Sequence, residues 1–84
     1  MRTFEKWDEL EGKNCRVIIN HEIFDEHQYD CDALQVINDD HRIGVVIKWR
    51  ELFLYKHNIN KFIVRDNVYM VEDDMMTITI VNKM

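Results

Sequence analysis

The spacing of apolar positions changes once, near the start of this 84-residue chain, and the change separates its elements. Phe4, Trp7 and Leu10 recur every third residue, which predicts a short N-terminal helix of about two turns. Thr3 is placed to cap its start, and Gly12 to end it with a left-handed residue. A helix this short depends on packing its aromatic stripe against other elements.

Beyond Gly12 the pattern alternates. Cys15, Val17 and Ile19 form one face of a first strand, with Arg16 and Ile18 on the other. A polar link, HEIFDEHQYD, precedes a second strand, CDALQVIN. The third, RIGVVIKW, carries Ile43, Val45, Ile47 and Trp49 on one face. Arg50 and Glu51 form a tight connection to a fourth, LFLYKH, and Asn58 precedes a fifth, INKFIV. An Asp66-Asn67 turn then leads to VYMV and MMTITIV, joined by Glu72, Asp73 and Asp74. One helix followed by strands on tight turns predicts an all-β fold, a small, strongly bent antiparallel sheet or barrel. The helix and five strands occupy residues 1–65 and a further hairpin 66–84, within one domain of 1–84. A barrel of this size is filled by its own side chains, so binding falls to loops, edges or subunit boundaries.

Composition narrows the picture. A chain this short buries roughly 60% of its unfolded surface, which makes association between subunits an attractive source of stability. Hydrophobic residues make up 46%, and the longest uncharged apolar run, residues 43–47, is far short of a membrane span. The acid-rich start lacks the apolar core of a signal peptide, and Cys15 and Cys31 are expected to be reduced thiols, so a cytoplasmic protein is expected. There is no proline, and turns fall to Asn and Asp.

The net charge of −5 conceals an asymmetry. Residues 1–41 balance to −7, residues 42–65 to +5 and residues 66–84 to −3. Within the basic middle, six cations are interleaved with Trp49, Phe53, Tyr55, His57 and Phe62. That mixture suits single-stranded nucleic acid, with cations for phosphates and flat rings for bases. A sheet edge protected against aggregation by its cations has the same composition, so both readings stand.

Catalytic patterns are missing. The chain has no serine and no glycine-rich phosphate loop, and both cysteines fall in expected strands, so no enzymatic activity is expected. Cys15, His21, His27 and Cys31 are separated by six, six and four residues, which is not the paired spacing of a zinc site. No metal and no cofactor are expected. The acids between Glu22 and Asp32 read as a solvated loop, or as a face that repels polyanions.

Two segments carry a resemblance. LYKHNINKFIV resembles the Tyr-Lys-His segment joining strands four and five in the bacterial, Hfq-type branch of the Sm/LSm family. NDDHRIGVVIKW is similar to the first Sm motif, with Asp40, His41, Arg42 and Ile43 leading into a strand. The resemblance covers about residues 3–65, and its motifs are short. It implies an Sm-like (SH3-like) small barrel and a homo-oligomeric ring of about five to seven subunits, in which strand four of one subunit pairs with strand five of the next. It also implies binding of single-stranded, U-rich RNA at the central opening. Lys56 and His57 would contact base edges and phosphates, and His41 and Arg42 would stack on bases. Tyr55 would pack at the subunit boundary or border the pocket, and Asn58 would add a hydrogen bond. Three features depart from the family: Gly44 stands where many members have a base-reading Asn, the first link is longer and more acidic, and the closing hairpin has no counterpart. The competing reading is a small acidic oligomeric protein-interaction module whose basic strands serve subunit contacts.

Overall fold

A computed structural model of the protein describes residues 4–23 and 25–83. A 3-10 helix, Glu5–Leu10, leads into eight strands: β1 Cys15–His21, β2 His27–Cys31, β3 Gln35–Asn38, β4 Arg42–Ile47, β5 Arg50–Tyr55, β6 Lys61–Arg65, β7 Val68–Glu72 and β8 Met76–Asn82. They form two antiparallel sheets, one ordered β2-β1-β8-β7-β6 and the other β3-β4-β5. The all-β class holds. Among the described residues the strands do not close into a barrel: no ladder joins the two sheets.

The helix winds as a 3-10 helix because its three-residue apolar spacing matches three residues per turn and stacks Trp7 above Leu10 on one side. Thr3, the expected cap, lies outside the described residues; at the following residue, Phe4, no side chain caps the helix. Gly12 is left-handed at φ +78°. Its N–H donates to Leu34 O, which turns the chain into β1.

The core lies between the sheets. Val17, Val71, Ile78 and Ile80 come from the larger sheet and Ile43, Val45 and Leu54 from the smaller, with Trp7 and Leu10 wholly buried among them. The helix fastens the sheets together. Trp7 Nε1 donates to Gly44 O of β4 at 2.9 Å, while the Trp7 ring packs on Phe62 of β6. Asn38 Nδ2 of β3 donates to Phe4 O, and Tyr69 of β7 donates its hydroxyl to Glu9. Burying a large apolar side chain such as Trp7 contributes roughly 2–3 kcal/mol, so this peg is a major part of the fold's stability.

Several local expectations are corrected. The polar link contains β2, a polar edge strand paired with β1 from Cys15↔Cys31 to Ile19↔His27. This also breaks the expected second strand, of which only Gln35–Asn38 is β3. The cysteines are directly opposed in that register; Cys15 is buried and Cys31 half-buried, and they are not bonded to each other. The hairpin between β4 and β5 turns at Lys48 and Trp49, and Arg50 and Glu51 already belong to β5. Trp49 is therefore not on the inward face with Ile43, Val45 and Ile47; it is 99% exposed. The closing hairpin is no appendage, because β8 pairs with β1 along seven residues and β7 lies between β8 and β6. Ile78 and Ile80 of that hairpin are fully buried in the core.

Among the described residues no helix is long and apolar enough to cross a membrane.

Candidate functional site

Asp39, Asp40 and His41 make the turn between β3 and β4, and Asp39 organises it. Its Oδ1 accepts the N–H groups of His41 (2.9 Å) and Arg42 (2.7 Å), and its N–H donates to Arg42 O. This is the local hydrogen bonding that suits Asp to turns. The other carboxylate oxygen, Oδ2, accepts from Arg42 Nε at 2.8 Å. The Asp39 carboxyl is accordingly held down to about 2, first by the His41 N–H and then by the Arg42 side chain.

The second wall comes from the end of β5. Tyr55 pairs with Arg42 in the ladder, and the chain then enters a 3-10 turn, Lys56–Asn58. Alternation along β5 turns Leu54 into the core and leaves Phe53 and Tyr55 on the outer face. Their rings meet edge to face at 5.4 Å, and the His57 ring continues the row 5.9 Å from Tyr55 at a tilt of 34°. Arg42 crosses this face with its guanidinium 5.0 Å from the Phe53 ring centre and reaches Glu51 at 3.2 Å. Gly44, opposite Phe53, is required there: a Cβ would stand 2.0 Å from Leu52 O and 2.5 Å from Phe53 Cα.

These walls enclose an open cleft of about 650 Å³ lined by Asp39, Asp40, His41, Arg42, Tyr55 and His57. Four of the six residues singled out in the sequence therefore meet in one place. Lys56 and Asn58 are outside the lining. The Lys56 ammonium is turned inward, donating to Asp39 O and lying 5.4 Å from the Phe4 ring centre, and its N–H donates to His41 O. It braces the cleft instead of facing it. Asn58 is exposed beside His57.

Asp39, Asp40 and Glu51 are not among the six contact residues expected from the sequence. The signal for Asp39 was its position two and three residues before the N–H groups it accepts. With two lining carboxylates and one guanidinium, the cleft is not basic, and Arg42 is already paired twice. The other cations of the basic third are dispersed, Lys48 and Arg50 around the far hairpin turn and Lys61 and Arg65 on β6. The arrangement offers flat rings and ring nitrogens more than net positive charge, and it suits a planar, hydrogen-bonding ligand. No group of three or more His, Cys, Asp or Glu among the described residues is arranged to hold a metal ion. Compared with protein-family models, curated proteins and solved structures, the chain finds no match.

Proposed function

We propose that this protein binds single-stranded RNA without chemically altering it, as a cytoplasmic homo-oligomeric Sm-like ring, with one cleft per subunit holding a base. The observation carrying this reading is the convergence of His41, Arg42, Tyr55 and His57, from two separate turns, on one cleft with ring faces exposed. Bases stack on such rings whatever their identity, and each stacked base is worth roughly 1–3 kcal/mol. The exposed Asn58 amide and the two imidazoles supply hydrogen bonds to base edges, and U-rich RNA is the preferred sequence class in this reading.

Ring formation draws support from the sheet edges. β5 ends the smaller sheet and β6 ends the larger, so each carries an unpaired ladder edge, and these are the strands the family pairs between subunits. Pairing β5 of one copy with β6 of the next is a head-to-tail contact that closes at about five to seven copies and brings the clefts to a common opening.

One observation favours the competing module that binds protein and not nucleic acid: Asp39 and Glu51 neutralise Arg42, and Asp40 adds a further carboxylate to the lining. Light scattering and fluorescence anisotropy separate the two. A ring that binds labelled U-rich RNA, more weakly as salt rises, supports the RNA reading. Tyr55→Ala with His57→Ala should then weaken binding about tenfold or more without changing the assembled mass. A ring that leaves every single-stranded RNA unbound at low salt supports the protein-binding module, and a monomer excludes both.

A further inference from the structure

The turn between β4 and β5 is built from residues that do not favour it. Ile47 pairs with Arg50, leaving Lys48 and Trp49 as a two-residue loop, and both have positive φ, at 50° and 71°. That is the geometry of a type I′ turn, which hairpins usually fill with Asn-Gly because bulky side chains resist the left-handed conformation. The larger of the two residues is also the most exposed large apolar side chain among those described. Trp49 is 99% exposed, whereas the other tryptophan, Trp7, is wholly buried. Trp49 thus contributes neither turn preference nor packing to its own fold. Its neighbours in sequence are cations, and no ion pair among the described residues involves Lys48 or Arg50. Lys48 is steadied by the Tyr29 ring of β2, 5.9 Å from its ammonium.

We propose that Lys48, Trp49 and Arg50 form a second nucleic-acid contact, a hairpin tip on which one base of a single strand stacks while the flanking cations meet the adjoining phosphates. An indole face between two cations matches the alternation of base and phosphate. A protein partner is less well matched, because, of the other exposed large hydrophobics, Ile23, Ile63 and Met75 lie on other segments and Tyr55 lies at the opposite end of β5, so none adjoins Trp49 along the hairpin. A membrane surface is less well matched for the same reason, and because Glu51 is exposed one residue beyond Arg50. The tip takes its ligand class from the proposed function, but its location is independent, since it lies at the other end of the β4–β5 hairpin from the cleft.

Tryptophan emission tests it, with buried Trp7 as a constant background. A short single-stranded U-rich RNA should quench the exposed indole in wild type and also in Tyr55→Ala/His57→Ala, and Trp49→Ala should bind about tenfold more weakly with an unchanged circular dichroism spectrum. Lys48→Ala with Arg50→Ala should weaken binding and flatten its salt dependence. If anisotropy reports binding while Trp49 emission and the affinity of Trp49→Ala are unchanged, the tip proposal is overturned and the cleft reading survives. Quenching by phosphatidylserine vesicles but not by RNA assigns the tip to membranes and overturns it as well. RNA that neither binds nor quenches overturns both.

Discussion

The two ends of the β4–β5 hairpin carry the same kinds of residue in opposite states. At the cleft end, Arg42 is tied to Asp39 and Glu51, lies over Phe53, and stands beside the Tyr55 and His57 rings. At the tip, Lys48 and Arg50 have no carboxylate partner among the described residues, and Trp49 is fully exposed in a left-handed conformation. Composition alone therefore does not separate cations held in internal pairs from cations left open. The cleft's guanidinium is taken up in internal pairs beside its rings, while the tip leaves its cations without a carboxylate partner among the described residues and its ring exposed.

Removing the hairpin's shared foundation should have the largest effect. Gly44→Val drives two methyl groups and a Cβ into the space held by the Leu52 carbonyl, and it disturbs the strand that accepts the Trp7 hydrogen bond. A loss of roughly 3 kcal/mol or more is expected by urea denaturation, with both ends disordered together. If the variant keeps wild-type stability, β4 and β5 do not approach as closely as described.

Next is the charge at the cleft. Asp39→Asn removes one of the two carboxylates paired with Arg42 and one acid from the lining, so RNA affinity measured by anisotropy should rise about fivefold at low salt. The same variant tests the acid limb of stability. The folded pKa of Asp39, about 2, lies below the ordinary 3.8, so its contribution is complete above about pH 4 and is lost as pH falls toward 2. Asp30, held low by hydrogen bonds from Lys83 and then Arg16, shifts stability in the same direction. Denaturation between pH 5 and pH 2 should therefore be steeper in wild type than in Asp39→Asn.

The tip should respond in the opposite sense. Trp49→Gly removes the steric cost of the left-handed turn and loses no packing, so thermal denaturation should show a gain of about 0.5–1 kcal/mol, together with weaker RNA binding. A destabilised Trp49→Gly would mean that the indole packs on the fold after all.

The contrast between the two ends was only partly legible in the sequence. Alternation revealed Cys15, Val17 and Ile19, and likewise Ile43, Val45 and Ile47, because one side of each strand is buried. The same alternation continued through Trp49 and hid the tip, since Lys48 and Trp49 contain none of the residues that usually signal a turn. β2 was hidden because an edge strand wet on most of its length has no apolar period to read. Periodicity identified the closing hairpin but not its place, since the β1–β8 pairing joins residues more than fifty apart in the chain. Tyr55, His57, His41 and Arg42 were found as two short segments, and the ladder pair Arg42↔Tyr55 brings them together. The inward turn of Lys56 depends on Asp39 O and Phe4, contacts that no local pattern specifies.

The most direct test of RNA binding at this hairpin is photocrosslinking with a single-stranded U-rich RNA carrying 4-thiouridine, followed by peptide mapping. Crosslinks are expected at Tyr55 and His57 in the cleft and at Trp49 on the tip, disappearing as salt is raised. Crosslinks confined to other strands, or none at low salt, would contradict the assignment of this hairpin as the RNA-binding element.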